Sequence, residues 1–497
     1  MTANSNWQFD QPIDIPCGAT TVHFKNRIIR SSLGGRMAYY DGTPNNAFKN
    51  FEYHFAKNGV GAIISATISV NPYRHSPLEY PQIDNKKFVG PFRDAVRAVQ
   101  DFDCRYIMQI GDCGYHCQTS LFSNPSESES SSAGFDFLYG FRNFRTEMSK
   151  EDINQEIRYF GEAAARVREA GCDGLELTAA KGYLIHQFLN PVINRRRDEY
   201  GADPFLFLQK IVGKIRKEVG SDFLFGVRLS AQDYSNRPLN IRWPVGGFGN
   251  SLEETIAYGR RLKDLGVDFL HVTNGFGFLC PNDNPGEFPL EEFAMFCDST
   301  RHLSTKAAIR ATLMHTPFKY LAKVGWKKLP PASKLSDALA LKKEVGLPVI
   351  VNGGFQERNL IEDALTKGCD FVSMGRPLLA NPNLIQILRH CDKPDNPCTF
   401  CNRCDLRTSL FPVGCYDVSR FGGDYEKMEH QIIATSGNPN WPHPEECVPD
   451  VCIRQAMVPA VSAVPRRRNN GLKTLAFGVG VAVGAIAASK LRRRGRR

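Results

Sequence analysis

The sequence predicts an α/β fold: a (β/α)8 barrel (TIM barrel), a Cys-rich extension after it, and a C-terminal transmembrane helix. Three observations support this prediction. Eight short runs of β-branched and apolar residues are each followed by a segment with helical periodicity. The joints from helix to strand repeat one Gly-x-Asp pattern. Near its C-terminus the chain carries an uncharged run of fifteen residues between two basic clusters.

The predicted barrel covers residues 12–390. Its eight candidate strands are Arg27–Arg30, Gly61–Ser65, Arg105–Ile110, Gly174–Thr178, Leu224–Leu229, Phe269–Thr273, Pro348–Val351 and Phe371–Met374. Amphipathic helices are expected at Asn154–Ala170, Phe207–Val219, Leu252–Leu265, Ser333–Val345 and Leu360–Lys367. Because parallel strands need such crossover helices, eight units predict a parallel barrel with its helices outside.

The joints and the interruptions are also visible in the sequence. Gly171, Gly266 and Gly368 each end a helix, and an Asp two residues later enters the next strand. Short αβ loops favour this arrangement, since Gly readily adopts the conformation that stops a helix. Residues 123–134 are Ser-rich and predict a loop, whereas residues 279–332 are longer than one helix requires and predict an inserted cap.

Composition and charge exclude several protein classes. The chain has 497 residues, 42% hydrophobic and 23% charged, which excludes collagen-like, disordered and small disulfide-stapled proteins. The net charge of +10 lies in residues 466–497, which hold ten Lys or Arg and no acid; residues 1–465 hold 52 basic and 52 acidic residues. Because residues 1–465 carry no excess of positive charge, they lack the basic surface that nucleic-acid binding requires. No nucleic-acid partner is therefore predicted.

The cysteines and the N-terminus bear on the compartment. The segment MTANSNWQFDQP has neither the basic nor the apolar region of a secretory signal, so we expect a reducing compartment. The fifteen cysteines are therefore interpreted as metal or redox sites before disulfides.

Two glycine loops follow the last two predicted strands. Gly353 and Gly354 come after strand seven, and Gly375 with Arg376 comes after strand eight. In a barrel these positions lie at the carboxyl ends of the strands, where sites form, and glycines let a phosphate approach the backbone. The loops therefore favour a phosphate site, the alternative being simple turns.

Several motifs resemble one known family. The segment GYLIHQFLNPVINRRRDEYG (182–201), with Lys25-Asn-Arg-Ile28, Phe225-Gly-Val-Arg-Leu-Ser230 and the two glycine loops, closely resembles the Old Yellow Enzyme family, the FMN-dependent NADH:flavin oxidoreductases. The matches follow the family's order over residues 12–390. The resemblance implies a barrel that binds FMN and is reduced by NADH or NADPH.

The resemblance implies roles for the cofactor-binding residues. Gln109 matches a glutamine at the flavin pyrimidine edge, and Arg228 matches an arginine near flavin N1 and O2. Backbone groups around Ser31 and Ser32 would flank the flavin ring. The phosphate would be held by Gly353, Gly354, Gly375 and Arg376. The alternative is that Gln109 and Arg228 only form hydrogen bonds with loop residues at the ends of their strands.

The implied catalytic residues include departures from the family. Tyr183 matches a tyrosine that protonates substrate, although it could instead be a packing aromatic. Thr178 and Lys181 stand where the family carries His and His or Asn, which bind the substrate carbonyl. Lys181 could favour an anionic group. The family's Thr or Cys near flavin N5 falls at Gly34, which has no side chain.

A cysteine cluster follows the barrel, within the predicted extension 391–465. Cys398, Cys401, Cys404 and Cys415 have the spacing C-x2-C-x2-C-x10-C. The larger 2,4-dienoyl-CoA reductase branch of the family holds a [4Fe–4S] cluster with slightly longer spacing. The four thiols could hold an iron–sulfur cluster, zinc or no metal. An iron–sulfur cluster would either need an electron-donor protein as a partner or have a purely structural role.

The segment 466–497 predicts a membrane anchor. Residues 472–491 are long enough to span a bilayer if Lys473 and Lys490 extend to its surfaces, the alternative being a soluble helix. Such a tail resembles the anchors of the mitochondrial outer membrane or the peroxisome, with the barrel facing the cytosol.

These observations predict an enzyme. We expect FMN to carry hydride from NADH or NADPH to an electron-poor small molecule, an α,β-unsaturated carbonyl compound. The alternatives are a flavin-binding scaffold and an iron–sulfur electron-transfer flavoprotein fed by a partner protein.

Overall fold

A computed structural model describes residues 7–74, 79–116, 129–135, 144–233, 249–277, 284–303, 305–323, 326, 328–408 and 411–436. The predicted anchor at 466–497 lies outside these residues, as do residues 123–128 of the Ser-rich loop and the first residues of the inserted cap. No helix of the described part combines the length and the apolar character needed to cross a membrane.

The strands are β1 (Ile13–Cys17), β2 (Thr20–Phe24), β3 (Ile28–Arg30), β4 (Ala62–Ile64), β5 (Ile68–Ser69), β6 (Arg105–Gly111), β7 (Glu129–Ser130), β8 (Gly134–Phe135), β9 (Phe144–Glu147), β10 (Gly174–Ala179), β11 (Leu224–Ser230), β12 (Phe269–Thr273), β13 (Val349–Asn352) and β14 (Phe371–Met374).

The helices are α1 (Asn46–Lys57), α2 (Val89–Gln100), α3 (Lys150–Glu169), α4 (Leu184–Leu189), α5 (Glu199–Ala202), α6 (Leu206–Val219), α7 (Leu252–Asp264), α8 (Leu290–Ser299), α9 (Thr305–Met314), α10 (Leu335–Val345), α11 (Arg358–Thr366), α12 (Arg376–Ala380), α13 (Leu384–His390), α14 (Arg403–Arg407) and α15 (Tyr425–Ser436). Short 3-10 helices include Gly114–His116 and Pro317–Lys323.

Eight parallel strands close into a barrel. The order is β10-β11-β12-β13-β14-β3-β4-β6, and β6 pairs with β10 to complete the circle. These strands are the eight that the sequence predicts, each within one residue at either end, so the predicted barrel is confirmed.

Three predicted helices begin two or more residues away from the predicted start. The helix α11 starts at Arg358, two residues before the predicted Leu360. The helix α3 starts four residues before the predicted Asn154, because Ser149 and Asp152 form a capping box. The helix α10 starts at Leu335, two residues after the predicted Ser333, with Lys334 at its N-cap.

The barrel interior changes from apolar to polar along its axis. Inward residues at the amino ends of the strands form one cluster with the β1–β2 hairpin, which includes Ile15, Cys17 and Phe24. Two residues further along β12 and β14, the buried residues are His271 and Ser373. Because side chains alternate along a strand, these polar groups occupy the next interior layer. The barrel is therefore packed with apolar side chains at the amino ends of its strands, and it can hold a polar site at their carboxyl ends.

The Gly-x-Asp joints connect neighbouring barrel strands. The glycines have positive φ angles, 84° at Gly171 and 79° at Gly266. Each following Asp then accepts a hydrogen bond from the backbone N–H at the start of the neighbouring strand: Asp173 from Tyr106, Asp268 from Phe225 and Asp370 from Val349.

Candidate active site

A cavity of about 220 Å³ opens at the carboxyl ends of the barrel strands. Most of the predicted cofactor-binding residues line it: Ser31, Ser32, Arg228, Gly353, Gly354, Gly375 and Arg376. The catalytic candidate Lys181 lines it as well. The barrel loops, the insert and the extension all contribute, the last two through Asn284 and Cys404, so the wall is made by segments far apart in sequence.

One end of the cavity is built from the two glycine loops. Gly353 and Gly354 have φ angles of 132° and 84°, which other residues rarely adopt. A side chain on Gly354 would lie 3.2 Å from the Phe400 ring. The glycines therefore keep the backbone close to the cavity, which is what a phosphate site requires.

Lys334 is a buried cation beside the first glycine loop that the sequence analysis did not predict. It is only 5% exposed, and its Nζ donates to Asn352 Oδ1 over 3.0 Å. Its side chain lies 3.6 Å from where a Cβ of Gly353 would stand. The only signal in the sequence is a lysine three residues after Pro330-Pro331, just before α10, and this signal is weak because most lysines are exposed.

Arg376 joins the barrel to the extension. Its Nη1 donates to Pro285 O over 3.1 Å and also to Asn402 Oδ1. The guanidinium lies over the Phe400 ring, 5.4 Å from its centre. The predicted phosphate-binding arginine is therefore held in place by residues of both the insert and the Cys-rich extension.

Gln109 lies at the centre of a buried hydrogen-bond network. Its Oε1 accepts from Ser32 Oγ over 3.0 Å and from Thr67 Oγ1, and its Nε2 donates to Glu176 Oε1 over 2.5 Å. It is 1% exposed and does not itself line the cavity. The structure therefore places this residue behind Ser32, which does.

The network continues across the barrel through a buried histidine. Glu176 Oε2 lies 2.9 Å from His271 Nδ1, and His271 Nε2 lies 3.0 Å from Ser373 Oγ. Burial opposes ionisation of Glu176, but His271 and Arg228 together hold its pKa below the ordinary value. Burial lowers the pKa of His271 against the attraction of Glu176. Sequence reasoning missed both residues.

Arg228 presents a partly buried cation to the cavity. Its Nε has no hydrogen-bond partner among the described residues. Burial lowers its pKa, while Glu176 and Tyr183 oppose that shift. A guanidinium with an unused donor beside a cavity could hold an anionic or carbonyl oxygen.

Tyr183 is placed next to this network. It makes a side-chain hydrogen bond with Thr67, and burial raises its pKa above the ordinary value. His186 fixes the adjacent backbone, since its Nδ1 accepts from Gly182 N over 3.0 Å and its Nε2 lies 2.7 Å from Asp233 Oδ1. The phenol is therefore held protonated at neutral pH in a defined position.

Comparison with known proteins identifies the family. Residues 9–255 match the model of the NADH:flavin oxidoreductase / NADH oxidase family. An NADPH dehydrogenase of Geobacillus sp. (strain WCH70) is 30% identical over 264 residues, which cover 51% of this chain and 70% of that protein. The chain belongs to the NADH:flavin oxidoreductase / NADH oxidase family. The resemblance stated from the motifs is thereby confirmed.

Other matches describe the remainder of the chain. Residues 331–419, which include both glycine loops and all four clustered cysteines, match the dihydrouridine synthase (Dus) model. An NADH oxidase of Thermoanaerobacter brockii is 28% identical over 363 residues, 72% of this chain. The chain spans about half of that relative, 48% of its length.

Solved structures support the fold. A 2-naphthoyl-CoA reductase complex superposes with a TM-score of 0.65 at 20% sequence identity, covering 89% of this chain and 58% of that one. At this identity the likeness concerns the architecture alone, and it agrees with the barrel described above.

Of the two positions that depart from the family resemblance, Lys181 lines the cavity and Thr178 does not. Thr178 is buried on β10, does not line the cavity, and its methyl group packs toward Gly111. Lys181 lines the cavity with a φ angle of 59°, and its Nζ donates to Asn274 O over 3.2 Å. Left-handed backbone at a non-glycine residue is a strained conformation that often marks a functional position.

Tyr80 occupies the space beside Gly34. A Cβ on Gly34 would collide with the Tyr80 hydroxyl and would lie 2.7 Å from its Cζ. Tyr80 also lines the cavity, and burial raises its pKa, with Tyr183 adding to the shift. A phenol hydroxyl from a distant loop therefore stands in the space that a side chain at residue 34 would occupy. No pattern in the sequence connects the two residues.

The four clustered cysteines share a second, much smaller cavity of about 10 Å³. Cys398, Cys401, Cys404 and Cys415 line it, and Cys404 also lines the larger cavity. Arg420 Nη1 lies 3.2 Å from Cys415 Sγ. The motif thus brings its four thiols to one place beside the candidate site.

The thiols of the described residues are not arranged as metal ligands. Burial raises the pKa of Cys398 to about 12 and also raises those of Cys401 and Cys404. Within the described ranges, no three His, Cys, Asp or Glu side chains converge at metal-binding positions. The metal assignment stays a prediction.

Proposed function

We propose that this chain is an FMN-dependent oxidoreductase that takes hydride from NADH or NADPH and transfers it to an electron-poor acceptor, an α,β-unsaturated carbonyl compound. The observation that carries the proposal is the lining of the cavity. The two glycine loops line it with Lys334 and Arg376, Arg228 lines it as well, and the Gln109–Tyr183 network lies behind Ser32. A flavin mononucleotide has matching parts, a dianionic phosphate and a polar ring.

The residues present fit this cofactor. The positive-φ glycines leave room for a phosphate, and Arg228 carries a buried Nε donor with no partner among the described residues. When bound, FMN supplies the carrier that accepts hydride from one substrate and donates it to the other. Arg228 would stabilise negative charge beside it, because a fixed cation in a buried site costs no reorganisation.

Tyr183 is proposed as the proton donor. Hydride addition to a polarised alkene leaves a carbanion that must take up one proton. A buried phenol whose pKa is raised keeps its proton until such a strong base forms nearby. Thr67, which hydrogen-bonds Tyr183 and donates to Gln109, would hold the ring and connect it to the network.

Lys181 is proposed to bind the carbonyl or carboxylate of the acceptor. Its ammonium group lines the cavity and is held by Asn274 O, while Asn274 donates to Asp337 over 2.8 Å. A point charge favours anionic acceptors. Lys181→Ala should raise KM about tenfold for acceptors with a carboxylate, the loss of one charge-assisted hydrogen bond. Unchanged kinetics for every acceptor would contradict this role.

The test of the proposed function is the visible spectrum of the purified full-length chain under anaerobic conditions. We expect bound flavin absorbance that NADH or NADPH bleaches and that an enone restores. Since both half-reactions use one cavity, the steady-state kinetics should be ping-pong. Flavin that neither nucleotide reduces would favour a scaffold, and absence of flavin would overturn the cofactor assignment.

An electron-transfer function is the second candidate. It is favoured by Cys404, which lines both the main cavity and the cysteine cavity. Four cysteines with this spacing are a donor set for an iron–sulfur cluster fed by a partner protein, although no three of their thiols converge at metal-binding positions within the described residues. Stoichiometric iron after anaerobic purification, lost in Cys398→Ser, would support this candidate, and purified flavoprotein without iron would exclude it.

We further propose that residues 466–497 anchor the chain in a membrane with the barrel facing the cytosol, at the mitochondrial outer membrane or the peroxisome. The support is the sequence alone: a fifteen-residue uncharged run between basic clusters. Carbonate extraction of cells that express the full chain and a version ending at residue 465 tests the anchor, since only the full chain should stay with membranes.

A further inference from the structure

The insert between β12 and β13 exposes large apolar side chains. Ile309, Phe318, Tyr320 and Leu321 are between 52% and 64% exposed. Elsewhere in the described residues, the large apolar side chains exposed to a similar degree are all tyrosines, which carry a polar hydroxyl. We call these four residues together with Lys319 and Lys323 the insert surface.

Packing of the insert does not require these side chains. Its own small core consists of Ala294, Cys297, Ala311 and Met314, contributed by α8 and α9. The exposed residues lie on the outer part of α9 and on the 3-10 helix Pro317–Lys323, which contributes no buried residue. Exposed apolar groups that a fold does not need usually mark a binding surface.

The segment that carries this surface has an excess of positive charge. Between Asp298 and Asp337 the sequence has eight Lys or Arg and no acidic residue, whereas the rest of residues 1–465 holds 44 basic and 52 acidic residues. Lys319 and Lys323 hold their ammonium groups 5.6 and 5.3 Å from the centre of the Tyr320 ring. Lys319 also pairs with Glu291 over 3.1 Å. The complementary partner is therefore anionic as well as apolar.

We propose that the insert surface docks on an anionic membrane surface. Aliphatic and aromatic side chains can enter the outer acyl region, a tyrosine ring suits the headgroup level, and lysines bind anionic headgroups. An RNA would use the lysines and the rings but leave Ile309 and Leu321 without a role. The centre of a protein interface is depleted of lysine. This inference rests on neither the proposed activity nor the anchor.

The test is hydrogen–deuterium exchange of residues 305–323 in the full-length chain with lipid vesicles. Local protection is the readout, because the predicted anchor could itself hold the chain on any vesicle. We expect at least tenfold slower exchange with phosphatidylcholine–phosphatidylserine vesicles, no change with phosphatidylcholine alone, and reversal in 0.5 M salt. Each lysine should contribute about fivefold to binding, so Lys319→Gln/Lys323→Gln should need about 25-fold more lipid for the same protection.

A second variant and a control complete the design. Phe318→Ser/Leu321→Ser should lose the protection, whereas Tyr39→Ser/Tyr40→Ser, which changes two exposed aromatics outside the insert, should keep it. Both should melt like the unmodified chain. Equal protection by neutral vesicles, protection by tRNA instead of vesicles, protection that rises only with protein concentration, or no protection would each overturn the proposal.

Discussion

At the scale of single residues, Lys334 shows how burial changes what a side chain does. The same residue type on the surface would be solvated, but here its Nζ donates to Asn352 and its stem packs beside Gly353. Lys334 and the two glycine loops line the same cavity, so its charge stands where a phosphate at those loops would lie.

Removal of this cation should weaken FMN binding. We predict that Lys334→Ala raises the dissociation constant for FMN by about ten- to a hundredfold, the value of one buried charge-assisted contact. Fluorescence titration of the flavin-free protein measures this. Lys328→Ala is the matched control, because Lys328 is exposed and pairs with Glu287 over 2.7 Å. Equal affinities in the two variants would show that Lys334 does not face the phosphate.

Tyr80 and Gly34 are a second case in which the effect of one residue depends on another, because they occupy adjoining space. The Tyr80 hydroxyl fills the volume that any side chain at residue 34 would need. If the hydroxyl donates to the flavin, Tyr80→Phe should shift the midpoint potential of bound FMN by about 30 mV, equivalent to one hydrogen bond for a two-electron couple.

A compensating exchange tests the pair directly. Gly34→Thr alone should lose FMN because the new side chain meets the Tyr80 ring, while Gly34→Thr/Tyr80→Ala should bind FMN again. Redox titration and flavin content are the measurements. A single variant that binds FMN as well as the double variant would show that the two residues are independent.

At the scale of elements, the Gly-x-Asp joints do more than end helices. Each Asp accepts the N–H of the first or second residue of the neighbouring strand, and two of them also hold a cation from a helix: Asp268 contacts Arg216 and Asp370 contacts Lys342, both over 2.7 Å. One short motif therefore sets the register between strands and fixes the helix outside them.

Loss of one joint should destabilise the barrel. We predict that Asp268→Ala lowers the free energy of unfolding by about 1–3 kcal/mol, because the Phe225 N–H is left without its partner in the barrel wall. Urea unfolding measures this. Asp264→Ala, at an exposed position of α7, should change stability by less than about 0.5 kcal/mol. A similar loss in both variants would assign the effect to α7 rather than to the joint.

At the scale of the whole molecule, a buried charge cluster ties four segments together. Arg74 contacts Asp112, Glu129 and Glu156 over 2.8, 2.7 and 2.6 Å, so one cation faces three carboxyl groups. Burial and the neighbouring Asp112 raise the pKa of Glu156 to about 8. The folded chain therefore retains a proton there that the unfolded chain releases above about pH 4.5.

This cluster predicts a pH dependence of stability. Because the folded state holds the extra proton, the stability contributed by Glu156 is present below its unfolded pKa and falls as the pH rises from about 4.5 toward about 8. Glu156→Gln should remove on the order of 1 kcal/mol of this decline. Urea midpoints at pH 5.5 and 8 measure it, with Glu151→Gln on the exposed side of α3 as the control. The same decline in both variants would contradict the assignment.

Short stretches of sequence were enough to predict the barrel and part of the site. The eight strands, the glycine joints and the two glycine loops follow from periodicity and from backbone chemistry, which are encoded within a few neighbouring residues. The family resemblance adds Arg228 and, through the motif GYLIHQFLN, Tyr183, whereas the contact of His186 with Asp233 spans a gap that no local pattern covers.

The distant residues that complete the site could be identified only in the folded chain. Lys334 and Tyr80 line the cavity, and Glu176 and His271 form the network behind it. Thr178 does not line the cavity, while the extension contributes Cys404 to its wall and Asn402 to the contacts of Arg376. Closure of a barrel brings together residues from every strand, and each contact depends on register and volume rather than on sequence neighbours. The exchange of a side chain at Gly34 for a hydroxyl from Tyr80 is the clearest case, because it exists only in three dimensions.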